Sequence, residues 1–154
     1  MTVTFRPATP DEAAYIGSNL RPADRREHSV FTTEFPERSF RRAVESGQQV
    51  YAAHVGGNPC VLIGVHPDSG GNGRVWLMST PDVSQAPVAV LKETRKWRDR
   101  WLRRYPKLWN IVDARNRVHV RWIETVGFRL GDEVQVHGHP FIYFDITQET
   151  HRVR

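Results

Sequence analysis

Between Ala86 and Pro106, the residues Val90, Thr94, Trp97, Trp101 and Tyr105 recur at three- or four-residue spacing, with Leu91 and Leu102 alongside. That period belongs to a long amphipathic helix, which Pro106 stops. Its apolar stripe has to be buried, and the segments on either side read as strands. "VWLMST" lies upstream, and the short apolar run "LWNIVDA" lies downstream. A strand, a long helix and a second strand restrict the chain to folds that pack helices on a sheet.

Upstream the β period dominates. "QVYAAHV" and "CVLIGVH" flank "GGNP", a strong hairpin signal, and "PDSGGNGR" leads on to "VWLMST". A three-stranded antiparallel meander follows. Nearer the N-terminus, "TVTFRPAT" alternates Val3 and Phe5 with polar neighbours, as a half-buried strand does. Thr9, Pro10 and Glu12 then form a helix start with a capping box. A short helix is expected over Pro22–Glu27, and another across "PERSFRRAVESG", stopped by Gly47. After "LWNIVDA", the stretch "NRVHVRWIETVGFRL" reads as a helix with Asn116 near its start and Gly127 at its stop. "RLGDEVQVHG" and "PFIYFDIT" form a last hairpin around Gly138. No repeat, low-complexity tract or linker interrupts this order. Residues 1–154 are therefore expected to form one domain of the α/β (α+β) class with a mixed sheet.

Five Trp, four Tyr and seven Phe supply large buried areas despite an apolar fraction of 39%. No apolar run approaches the roughly 20 residues that span a bilayer, and the N-terminus lacks a signal-peptide core. The expectation is a soluble protein made in a cytoplasm, with no membrane partner. A single cysteine, Cys60 in "NPCVLIGV", excludes an internal disulfide and reads as core. His137 and His139 lack a third ligand, so no metal is expected. "GGNG" has no following helix and makes a weak phosphate cradle. Val88–Tyr105 carries seven basic residues against two acidic ones, a surplus equal to the formal net charge of +5. That stretch reads either as a solvated helix face or as a surface for an acidic partner.

The order of elements resembles the GCN5-related N-acetyltransferase (GNAT) fold, and so does the pattern V-x-x-x-N, helix, G-F. Val112, Asn116, Gly127 and Phe128 stand at those spacings. The resemblance covers nearly the whole chain and implies a mixed, mostly antiparallel sheet flanked by helices. That sheet would splay between its fourth and fifth strands to admit acetyl-CoA. It further implies cofactor contacts from Leu77, Met78, Ser79 and Thr80 on the fourth strand. Ser84, Gln85, Ala86 and Val88 would contribute at the start of the long helix, together with Asn116 and Trp122. Within that superfamily, "LWNIVDARNRVHVRWIETVG" looks like a segment of the acetyltransferase-like internal virion proteins of short-tailed bacteriophages. That likeness is densest over Val75–Phe128.

Transfer from a thioester to an amine needs alignment, a stabilised oxyanion and the handling of two protons. A lysine-type amine is only about 0.04% neutral at pH 7, so a base or a water chain should help by roughly 10²–10⁴-fold. Asp113, at the end of "LWNIVD", is a candidate base reached through water; otherwise it caps or pairs with an arginine. His119 reads as an acid or base near neutral pH, or as a ring that fills space and bonds a carbonyl. Ser79 ends the fourth strand and would face the thioester. Glu34, beside Phe31 and Phe35, is a candidate for lining an acceptor site, or an ordinary exposed loop charge. Trp122 is most simply core. Two positions depart from the family pattern. "STPDVSQAPVAV" holds no glycine where a Q/R-x-x-G-x-G/A pyrophosphate loop is usual, and Ile123 stands where many members carry a tyrosine acid.

Two readings of function result. One is an acyl-CoA-dependent N-acetyltransferase of bacteriophage type acting on a protein amine, with a host target as an option. The other is a catalytically inactive internal virion or host-interaction protein on the same fold. Either would work in the bacterial host cytoplasm, with packaging among the virion components as an option. Nucleic acid ranks last, because Trp97 and Trp101 fall on the apolar face and not beside the charges.

Overall fold

Local signals set most of the helices in the computed structural model, which describes residues 2–151. Thr9 caps α1 (Pro10–Ser18). Its hydroxyl accepts from Glu12 N at 3.1 Å, and the Glu12 carboxylate accepts from Thr9 N at 2.9 Å. This is the reciprocal box read from the sequence. α2 (Pro22–Phe31) and α3 (Pro36–Glu45) both start on a proline, whose missing N–H costs nothing in a first turn. α2 continues past the expected Glu27. α4 (Pro87–Arg104) is the long helix, and α5 (Arg117–Val126) ends at Gly127, whose φ of 116° is left-handed.

The strands are β1 (Arg6–Pro7), β2 (Gln49–Val55), β3 (Asn58–Pro67), β4 (Gly73–Ser79), β5 (Lys107–Asp113), β6 (Arg129–Val136) and β7 (His139–Thr147). They form one mixed, mostly antiparallel sheet in the order β1-β2-β3-β4-β5-β7-β6. Gly56 and Gly57, at φ 62° and 85°, make the tight turn between β2 and β3. His137 (φ 48°) and Gly138 (φ 79°) turn β6 into β7.

The first strand is shorter than its alternation suggests. Only Arg6 and Pro7 pair with β2, opposite Ala52 and Tyr51. Val3 and Phe5 are buried, yet the Phe5 N–H donates to the Glu93 carboxylate at 2.7 Å and not to a strand. A buried side-chain acceptor has replaced the ladder there.

The chain divides into two compact units. The first runs up to Val65 and takes in Trp76–Glu93. Its core joins Ala13, Ile16 and Leu20 to Phe40, Val50, Ala52 and Leu62, with Trp76 and Met78 packed against them. Trp76 stacks on Phe40, and its ring lies where a Cβ on Gly64 would be, 2.4 Å away. The second unit comprises His66–Val75 and the chain from Thr94 onward. Trp97, Trp101, Leu102, Leu108, Val112, Ile123, Phe141, Phe144 and Ile146 are buried in it.

Candidate functional site

In the first unit the end of β4 is tied down by α2. The Ser79 N–H and hydroxyl both donate to Asp24 Oδ2, at 3.1 and 3.4 Å, and the Ser79 carbonyl accepts from Arg21 N at 3.0 Å. Arg21 Nη1 holds the other Asp24 oxygen at 3.2 Å. Thr80 N donates to the Cys60 carbonyl at 2.8 Å, while its hydroxyl accepts from Asp82 N and opens a 3-10 turn over Pro81–Gln85. Ser79 and Thr80 are the residues expected to face the thioester and to contact the cofactor. Both are buried, at 3% and 2% exposure, and committed to neighbours. Asp24 is the residue that sequence reasoning missed. Leu77 and Met78 are half-buried. Burial, with Asp82 adding to it, pushes the Cys60 thiol up to about 12.

The start of α4 offers more. Gln85, Ala86, Pro87, Val88, Ala89 and Lys92 line an open groove of about 390 Å³. The first intrahelical bond runs from Val90 N to Ala86 O at 3.0 Å, so Ala86 holds the cap position and brings no side-chain acceptor. Pro87 has no N–H. Helix geometry leaves the N–H groups of Val88 and Ala89 without acceptors inside the helix, at its positive end. Lys92 follows one turn later. Ser84 turns its hydroxyl back to the Pro81 carbonyl, and the Gln85 amide donates to Asp82, which engages that nearby negative charge. An uncapped helix start with a lysine can hold an anion without a glycine loop.

The second unit carries the other candidates. β4 and β5 pair in parallel at Gly73↔Leu108 and Arg74↔Trp109. At the next position a side chain takes over. Asn110 Nδ2 donates to the Val75 carbonyl at 2.7 Å, while its Oδ1 accepts from Arg74 Nε and Ile111 N. Asn110, the last residue of "LWN", thus supplies by side chain what the backbone ladder would have supplied. Asp113 is fully buried, and Arg115 grips both its oxygens, with Nε at 3.0 Å and Nη2 at 2.7 Å. That is the arginine-paired alternative, and it makes Asp113 an anchor for the turn into α5. Asn116 sits at the N-cap of α5 but makes no capping bond with its side chain. His119 and Ile123 lie on the buried face of that helix. Trp122 is half-buried, and its Nε1 is shut off from solvent without an acceptor among the described residues.

No protein-family model and no curated protein matches the sequence. Solved structures do match, along nearly the full length. A GNAT-family acetyltransferase from Bacillus anthracis aligns with a TM-score of 0.71 at 12% identity, covering 97% of this chain and 96% of that one. A spermidine N-acetyltransferase SpeG chimera from Vibrio cholerae and hSSAT gives 0.68 at 12%, covering 97% of both. The aminoglycoside acetyltransferase AAC(6')-Ib, solved with coenzyme A and kanamycin, gives 0.66 at 17%, with 97% and 96% covered. The architecture is the GNAT fold. At these identities the likeness defines the fold and leaves the chemistry to the site.

Proposed function

We propose that this protein is an acyl-CoA-dependent N-acetyltransferase. The observation that carries the reading is the groove at the uncapped start of α4, where Val88 and Ala89 N–H groups and Lys92 suit a pyrophosphate. Several similar structures were solved with coenzyme A or acetyl-CoA, which supports the same cofactor here. Transfer breaks the thioester C–S bond, forms the amide C–N bond, takes a proton from the amine and returns one to sulfur. With Ser79 and Asp113 committed to Asp24 and Arg115, His119 is the side chain assigned to proton handling. Asn116 and Trp122 are assigned to the cofactor.

The acceptor is an amine. Neighbours named for an aminoglycoside and for spermidine make a small amine one option. A protein amine, with bacteriophage-type function in a host cytoplasm, is the finer reading, supported by the "LWN" segment. No helix of the described residues is long and apolar enough to cross a membrane.

Isothermal calorimetry with acetyl-CoA tests the proposal. Saturable binding supports it, and silence at millimolar cofactor ends it. One observation favours a second reading. Ile123 has no proton to give, and the two other polar candidates are locked in structural pairs. On that reading the fold serves as an inactive internal virion or host-interaction protein. Cofactor binding without acetylation of any offered amine would favour it.

A further inference from the structure

Residues 94–104 of α4 belong to the second unit and carry six cations against one carboxylate. Arg95 and Arg98 are used inside the fold, on the Thr125 and Val126 carbonyls. Asp99 is committed too: it accepts from Arg98 Nε at 2.9 Å and bonds His151 Nε2 at 3.0 Å. Glu93, three residues before Lys96, is buried and holds the Phe5 N–H. Of the remaining cations, Lys96, Arg100 and Arg104 form an exposed line at i, i+4 and i+8. Like charges four residues apart destabilise a helix, and no acid at a neighbouring helix position is left to offset these. The guanidinium groups of Arg100 and Arg104 lie over the buried rings of Trp97 and Tyr105, 4.1 and 5.6 Å from the centroids. Stacking on a ring fixes the guanidinium plane and leaves the N–H donors at its edge available.

We infer that this line of cations binds the phosphodiester backbone of a nucleic-acid duplex, without reading its sequence. Four residues of helix rise about 6 Å, so the three charges form a row about 12 Å long. Such a row suits a polymer whose own charges are evenly spaced. The class of partner follows from what the row lacks. A protein partner wants apolar contact at the centre of its interface, and none of the exposed large apolar side chains falls within residues 94–104. A membrane surface takes up an apolar helix face, and here Trp97, Trp101 and Leu102 are buried. Single strands stack their bases on exposed rings, and Trp97 and Tyr105 are covered. Phosphates need only cations and N–H donors. The burial of the tryptophans thus counts against base stacking and leaves phosphate binding untouched.

Fluorescence anisotropy of a labelled DNA duplex of arbitrary sequence, titrated with the full chain between about 50 and 200 mM salt, tests this. Binding should be indifferent to sequence, and log K should fall with log salt at a slope of about −2.7 for three contacts. Lys96→Gln, Arg100→Gln and Arg104→Gln, with circular dichroism unchanged, should each weaken binding about tenfold and bring the slope nearer zero by about 0.9. Arg100→Lys keeps the charge and should keep the slope. Arg121→Gln makes the same charge change at an exposed position of α5 and should cost roughly twofold at most. Equal loss at Arg121→Gln, duplex binding that ignores the three substitutions, or no binding at the lowest salt overturns the inference. Polyglutamate, anionic vesicles or a single strand bound more tightly than the duplex overturns it as well. None of the three cations lines the groove at the start of α4, so the transferase reading stands or falls separately.

Discussion

Asp24 ties the end of β4 to the start of α2. Its carboxylate is 1% exposed and joins Arg21, at the N-cap of its helix, to Ser79, 55 positions away. Removing one member of a buried pair leaves the other charge and a backbone N–H unserved. Asp24→Ala should therefore cost about 3 kcal/mol in urea unfolding. Ser79→Ala removes only the long hydroxyl bond and should cost about 0.5–1 kcal/mol. Equal losses would show that the carboxylate is not the anchor. Nothing local in "RPADRREH" marks Asp24 as buried, because its partner is brought to it only by the tertiary fold. Cys60 was legible, since an apolar run predicts burial, and its protonation follows. A thiol held near 12 is about one part in ten thousand thiolate at pH 8, and the thiolate is the nucleophile. Dithionitrobenzoate should leave the native thiol unmodified at pH 8 and react promptly in denaturant. Rapid native labelling would contradict the burial.

The elements divide by whether their signals are local. The Thr9 capping box, the Gly56–Gly57 turn and the Gly127 stop lie within a few residues of what they govern, so sequence reading finds them. β1 escapes such reading because Glu93, 88 positions away, competes for the Phe5 N–H. The basic face of α4 is the sharper lesson. Arg95 Nη2 donates to the Thr125 carbonyl at 2.7 Å, and Arg98 Nη1 donates to the Val126 carbonyl. Both cations thus cap the last turn of α5, where carbonyls lack partners and the helix end is negative. A charge count sees solvated arginines in place of these caps. Charge reversal at either one tests the seating of α5 before it tests any partner surface. Arg98→Ala should cost about 1–2 kcal/mol and speed amide exchange in α5 and at Gly127 and Phe128, which close the same helix end. Unchanged exchange there would mean that Gly127 alone terminates the helix.

For the molecule as a whole, fold and chemistry are legible to different degrees. The element order and the spacing of Val112, Asn116, Gly127 and Phe128 carry the architecture, because period and glycine position survive when identity has fallen to 12–17%. The proposed pyrophosphate site carries no mark in the sequence, because no glycine stands at the start of α4. A backbone N–H does not depend on the side chain it carries, and an uncapped helix start offers the same donors beside Ala86 and Pro87. Charge then decides how firmly phosphates are held. Changing Lys92 to Glu replaces one favourable unit charge with an unfavourable one, a swing of two. At about 5 Å in a water-like dielectric, each unit contributes roughly 0.8 kcal/mol, so the swing is about 1.7 kcal/mol, or more than tenfold in Kd. Lys92→Glu should therefore weaken acetyl-CoA binding about tenfold at low salt. The deficit should shrink as ionic strength rises and the Debye length falls below the charge separation. Arg100→Glu supplies the control. It makes the same charge change two turns further along α4, where Arg100 lies over the Trp97 ring at 4.1 Å and outside the groove. If both variants lose affinity equally, the net charge of the chain attracts the cofactor and the groove has no special part in it. If only Lys92→Glu does, the phosphates bind at the start of α4.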